Sequence, residues 1–266
     1  ALWRQGEGNW NFGDRRLLDL RLDELKTMIA NFVRTEVTPP TGGRQRAPWL
    51  EKGVLAAPAL LEFAFRDAKG RADGPSLVLW PPDGGDDPTS LKVHGVIDRV
   101  DLLFDRQSRM LVGVRVVDYK GIGRARLSPR QLTADIGAAL DCQLPVYGLA
   151  ALCRLFPDQD PATSPWLQRT YVQYYGYALS LDDMQACMRK NYVVLGQDMA
   201  DDDGAAGPLV ARFLGRLLGL VTNLRNGALL VLPASCDFCP YPSVCRIQLQ
   251  RLTMGAETRS GFDGPG

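Results

Sequence analysis

Between Arg21 and Thr35 the apolar residues Leu22, Leu25, Met28, Ile29, Phe32 and Val33 recur at helical spacing and predict an amphipathic helix. Pro39-Pro40-Thr41-Gly42-Gly43 ends it in a loop. The period then changes. Ala59–Arg66, Leu77–Trp80, Leu91–Phe104 and Met110–Tyr119 read as strands separated by turn residues. Asp105–Arg109 is short enough to make the last two an antiparallel hairpin. Ser128-Pro129 opens a helix as N-cap and first-turn proline; it is expected to reach about Phe156, with Pro145 kinking or dividing it. Arg169–Ser180, rich in Tyr and Val, reads as another strand. Asp182 to about Asn191 and Leu209–Asn226 read as helices, the second burying Leu214, Leu217, Leu218 and Val221. These elements predict an α/β fold, a central mixed β-sheet flanked by helices. The expected divisions are an N-terminal helical segment at 1–58, the core at 59–232, a C-terminal cysteine loop and helix at 233–252, and a flexible tail at 253–266.

Composition narrows the classes. The chain has 266 residues, 45% of them hydrophobic, enough for one substantial core or two small ones. It carries no run of 18 apolar residues and no basic-then-apolar leader, which argues against a membrane span or secretion and for a cytoplasmic protein. Beginning at Ala1 without a methionine, it reads as a processed chain or, in preference, a fragment of something larger. A net charge of +1 means that a nucleic-acid binder must gather its positive charge locally. One such gathering exists: Tyr119–Thr133 contains Lys120, Arg124, Arg126 and Arg130 and no acid. It is either a solvated loop and helix start or a phosphate-contacting segment. The acidic clusters Asp83–Asp87 and Asp201–Asp203 read as exposed loops. Without secretion signals, six cysteines do not suggest a disulfide framework. Cys142, Cys153 and Cys187 lie in apolar segments as packing thiols. Cys236, Cys239 and Cys245 share a proline-rich loop whose spacing suits a metal.

The most informative pattern is Asp118-Tyr119-Lys120 at the end of the run Met110–Val117. Strand side chains alternate, so Asp118 and Lys120 share one face and Tyr119 takes the other. Alone, that pair reads as an ion pair. Here Gly95-Val96-Ile97-Asp98-Arg99-Val100-Asp101 precedes it on another strand, and Gln143 and Tyr147 follow at i, i+4 on one helix face. Asp98 and Asp101 compete for a role beside Asp118, since three residues place them on opposite faces. His94, the only histidine, lies an even offset from Asp98 and either shares its face or sits on the strand surface. Glu62, in Leu60-Leu61-Glu62-Phe63-Ala64-Phe65, is either near the site or structural.

In this order the motifs resemble the PD-(D/E)XK nuclease superfamily, specifically its RecB/AddB-type branch, over Ala59–Arg246. The resemblance implies a restriction-endonuclease-like core and a divalent-metal-dependent nuclease acting on DNA, single-stranded or at duplex ends. It further implies the nuclease domain of a helicase–nuclease or another recombination, repair or defence protein, partnered by a helicase domain or subunit. A magnesium or manganese ion would take the carboxylates of Asp98, which the resemblance favours over Asp101, and Asp118, with the Tyr119 backbone carbonyl. Lys120 would orient water or stabilise charge on the phosphate, Gln143 would lie near the metal or substrate, and Tyr147 against the substrate backbone. Arg124, Arg126 and Arg130 are the expected DNA contacts. Cys236-x2-Cys239-x5-Cys245 matches the end of the family's iron–sulfur motif and implies a [4Fe–4S] cluster. Its fourth cysteine lies upstream of the core in that family, and no cysteine precedes Cys142 here. The partner is expected in a segment before Ala1, with replacement by Cys142, Cys153 or Cys187 and an incomplete cluster as the other options. The family's usual upstream histidine is absent or replaced, which leaves the number of metal ligands open. Two other classes compete: a non-catalytic DNA-binding module of the same fold, and a cysteine-stapled structural domain whose Asp-x-Lys is an ion pair. No phosphate-binding GxxxxGK[ST] loop is present, so the chain is not a helicase motor.

Overall fold

The structure is a computed structural model and describes residues 15–37, 47–51, 53–65, 77–79, 91–121, 128–178, 180–200 and 206–227. The loop at Pro39–Gly43 and both acidic clusters lie outside these residues. The chain divides into two compact units, residues 1–217 and 218–266.

The first unit is built on a five-stranded mixed sheet. Helix α1 (Arg15–Val37) precedes strands β1 (Val54–Phe65), β2 (Leu77–Leu79), β3 (Leu91–Val93), β4 (Gly95–Asp105) and β5 (Leu111–Gly121). Then come helices α2 (Pro129–Gly137) and α3 (Gln143–Leu155), strand β6 (Thr170–Tyr177), helix α4 (Leu181–Lys190), strands β7 (Tyr192–Val194), β8 (Asp198–Ala200) and β9 (Ala206–Pro208), and helix α5 (Leu209–Arg225). The sheet order is β1-β4-β5-β6-β7. Only β5–β6 is parallel. β2–β3 and β8–β9 form two separate two-stranded antiparallel sheets.

Strand β5 sits in the middle, and its residues Gly113–Asp118 are buried without alternation, as a strand covered on both faces must be. One face packs Val100, Val114, Val116 and Val172 against Leu132 and Ile136 of α2, Leu144, Leu149 and Leu152 of α3, and Leu209, Val210 and Phe213 of α5. The other face packs Leu103, Val117 and Tyr175 against Trp49, Leu50, Phe32 of α1, and Met184 and Met188 of α4. Each fully buried aliphatic side chain contributes roughly 1.5–3 kcal/mol, so both helical layers matter to the position of β5.

Several boundaries differ from expectation. The region expected to be one strand at Leu91–Phe104 is interrupted at His94, with β3 paired to β2 and β4 to the central sheet. The helix expected from Ser128 to Phe156 is two helices. The division lies at 138–142, not at Pro145, which occupies the first turn of α3 where a missing N–H breaks no intrahelical bond. Helix α5 buries Leu209, Val210 and Phe213, with Leu214 and Leu217 partly covered, whereas Leu218 is exposed. On α1, Phe32 packs inward but Leu25, Ile29 and Val33 are exposed. In the second unit, the remainder of α5 closes with Gly227 at φ 70°, its N–H donating to the Leu224 carbonyl.

Candidate active site

β4 and β5 pair as far as Arg99 opposite Val117. One residue further on, the ladder gives way to side chains. Asp98 Oδ2 accepts the backbone N–H of Tyr119 at 2.7 Å, so a carboxylate takes the place of a strand carbonyl. Asp98 therefore reaches the residue that follows Asp118, where the two strands part. Asp118 is 2% exposed and sits level with Tyr174 on the parallel strand β6. Its Oδ2 lies 2.6 Å from Lys120 Nζ, and its Oδ1 accepts Gln143 Nε2 at 2.8 Å. The same amide group donates to the Tyr147 hydroxyl at 3.0 Å. Lys120, with a side chain 25% exposed, reaches solvent while its ammonium lies 5.8 Å from the centroid of the Tyr174 ring.

Two glycines bring these groups together. A Cβ on Gly95 would stand 2.7 Å from Phe65 Cζ and 3.1 Å from Tyr147 Cε1, so a bare backbone there admits the Phe65–Tyr147 edge contact. A Cβ on Gly148 would overlap the Leu195 side chain and come within 3.1 Å of Val172 Cγ1. Its absence lets α3 lie close on the sheet and carry Gln143 to Asp118.

Tyr119 points to the opposite face, as alternation requires. Its ring meets Phe32 and Tyr175, and its hydroxyl accepts Arg99 Nη1 at 3.4 Å. Asp101, the competitor to Asp98, is fully buried on that same face. It accepts Arg99 Nε at 2.6 Å and Arg115 Nη1 at 3.1 Å. Arg99 also reaches Glu36 of α1 at 2.9 Å; Arg115 reaches Gln173 at 2.8 Å and lies over the Trp49 ring. Burial pushes the Arg115 pKa down, opposed by Asp101. Burial alone would lower Arg99 too, but the bond and charge of Asp101, with Glu36, raise it on balance.

The remaining candidates are spread out. His94 is exposed in the break between β3 and β4. Glu62 is exposed and adopts φ 48°, dropping out of the β1–β4 ladder between Leu61–Arg99 and Phe63–Ile97, level with Asp98. Arg130 is exposed near the start of α2, while Arg124 and Arg126 lie outside the described residues. So do Cys236, Cys239 and Cys245. Cys142 and Cys153 are half-buried and Cys187 is buried. Burial raises the thiols of Cys142 and Cys153, with smaller help from Asp141 and Asp160 respectively, which favours protonated packing groups.

One residue escaped the sequence reading. Asp141, 5% exposed, accepts Tyr174 Oη at 2.6 Å and the N–H groups of Gln143 at 3.2 Å and Leu144 at 3.5 Å. An Asp two residues before a helix's Gln is a helix-start signal, but the expectation that any kink or division falls at Pro145 hid it.

The donor set suits a hard cation. Among the described residues no group of three or more His, Cys, Asp and Glu could cage a metal. Asp118, and Asp98 bonded to the N–H of the residue after it, remain as two carboxylates, the number magnesium takes when waters and phosphate oxygens complete its shell. No described helix is long and apolar enough to cross a membrane. A family model for the PD-(D/E)XK nuclease superfamily matches residues 12–246, most of the chain. No curated protein and no solved structure matches.

Proposed function

We propose that this chain, which belongs to the PD-(D/E)XK nuclease superfamily, is a divalent-metal-dependent deoxyribonuclease. Nuclease-type phosphodiester chemistry and a nucleic-acid substrate follow from the family; DNA and the residue roles are our reading. The observation that carries it is the Asp118 carboxylate held between Lys120 and Gln143, with Asp98 bonded to the N–H of the next residue at the parting of β4 and β5.

Asp98 and Asp118 would hold magnesium or manganese, with the Tyr119 carbonyl as a further oxygen. The bound ion would supply Lewis acidity toward the phosphate and a water of lowered pKa. Lys120, next to Asp118 and open to solvent, places a compact cation where negative charge develops on the phosphate. Gln143 fixes the orientation of Asp118. Tyr147, its hydroxyl accepting from Gln143, offers its own O–H toward the substrate backbone.

Within the superfamily we place the chain in the RecB/AddB-type branch, as the nuclease part of a helicase–nuclease or a related repair, recombination or defence protein. The order of Asp98, Asp118-Tyr119-Lys120 and Gln143-x3-Tyr147 supports this, as do Cys236, Cys239 and Cys245. Those cysteines would hold a [4Fe–4S] cluster whose fourth ligand is unassigned. The direct test is cleavage of end-labelled single-stranded and duplex DNA with magnesium, with manganese and with chelator. Metal-dependent products are expected. Equal products with and without chelator, or none under any condition, would overturn the reading.

A further inference from the structure

Lys120, Gln143 and Tyr174, buried or half-buried, surround Asp118, and the last two trace back to one carboxylate. Asp141 lies in the segment joining α2 to α3. Helix α2 ends in a Schellman turn: the Leu140 N–H donates to Asp135 O at 2.8 Å and the Ala139 N–H to Ile136 O at 2.9 Å, with Ala139 at φ 55°. The Asp141 N–H adds a second bond to Asp135 O at 3.1 Å. The backbone on which Asp141 sits is thus held from behind.

From there its carboxylate divides. Oδ1 accepts the first two N–H groups of α3, those of Gln143 and Leu144, and so sets where the helix begins. Oδ2 accepts the Tyr174 hydroxyl. Gln143 is the residue whose amide holds Asp118, and Tyr174 is the residue level with Asp118 on β6 whose ring faces the Lys120 ammonium. Tyr174 is 1% exposed, so its hydroxyl has no bulk water to fall back on. A buried carboxylate is costly unless its hydrogen-bonding capacity is used. Here that capacity is spent on the two elements that flank Asp118.

We propose that Asp141 and Tyr174 are positioning residues of the active site: their hydrogen bond ties the start of α3 to β6 and thereby fixes Gln143 on Asp118 and the aromatic face beside Lys120. This rests on the nuclease reading only for its catalytic consequence.

Tyr174→Phe keeps the ring and removes the bond. The side-chain amide of Gln143, donating to Asp118 and Tyr147 in the parent protein, should exchange with solvent at least tenfold faster in this variant by NMR. Turnover at saturating DNA and manganese should fall roughly tenfold with KM unchanged, since precise placement acts on the transition state. Asp141→Asn, which still caps α3, should retain more turnover than Asp141→Ala. In the Gln143→Ala background, Tyr174→Phe should cost little more, because both act through one contact. Unchanged Gln143 exchange in Tyr174→Phe would overturn the proposal, whether or not the parent cleaves DNA. So would fully additive losses in the double variant, which are what general loosening of the core produces. A parent that exchanges slowly yet cleaves nothing would retire the nuclease reading and leave the positioning intact.

Discussion

Asp98 and Asp101 share a strand and a residue type, yet three positions of alternation send them to opposite layers. Asp98 is half-buried and bonded to the N–H of Tyr119, the residue after Asp118. Asp101 is the hinge of an ionic cluster in which Arg99, Arg115 and Glu36 balance two positive charges with two negative ones. Their substitutions should therefore separate. Asp101→Ala leaves two guanidiniums buried without their shared partner and is expected to cost about 3–5 kcal/mol. Asp98→Ala gives up a single hydrogen bond and should cost about 1 kcal/mol while removing cleavage. Urea denaturation of the two variants measures the first difference, and comparable losses would mean that the faces are misassigned. Alternation was enough to show that the two acids part. The family's motif order favoured Asp98 and the face of Asp118, but what fills the other face was not legible, because that depends on where α1 packs, and nothing local marks Arg115 as a buried charge.

The elements themselves were read best where the signal is local and long. Ser128 caps α2 as expected, accepting a first-turn N–H, whereas Ser180, read as the end of a strand, caps α4 in the same way. The hairpin at Asp105–Arg109 closes with Arg109 N–H donating to Asp105 O at 2.8 Å. The break between α2 and α3 was expected at Pro145 and not at 138–142 because the residue at the left-handed stop is Ala139, where glycine is the usual sign. Tertiary demands, among them seating Asp141, override the local preference. Ala139→Gly should relieve that backbone and raise stability by about 1 kcal/mol, read as an upward shift in melting temperature. A loss of stability would show that the Ala139 methyl, 8% exposed, packs for more than the strain it costs. The strand read at Leu77–Trp80 is β2 and that read at Leu91–Phe104 contains β3, whereas β7, β8 and β9 have three residues each, too few for a period to show, and went unread.

At the scale of the whole molecule, a net charge of +1 leaves DNA attraction to local arrangement. Lys120 and Arg130 bracket the basic stretch in the fold: one is in the site, the other exposed at the start of α2. Replacing Arg124, Arg126 and Arg130 together should flatten the slope of log affinity against log salt by about 0.9 for each arginine that contacts a phosphate of duplex DNA. An unchanged slope would make the stretch a solvated loop. The core architecture was legible because the family's motifs fall at strand ends and on one helix face. The cysteine loop was legible only as spacing, and its ligands lie outside the described residues. The central claim is that Asp118 serves the metal and Lys120 the transition state. Manganese titration calorimetry joined to single-turnover cleavage, run on the parent chain, Asp118→Ala and Lys120→Ala, tests it most directly. The account predicts binding and cleavage in the parent, neither in Asp118→Ala, and binding without cleavage in Lys120→Ala. Cleavage at the parent rate in either variant would contradict it.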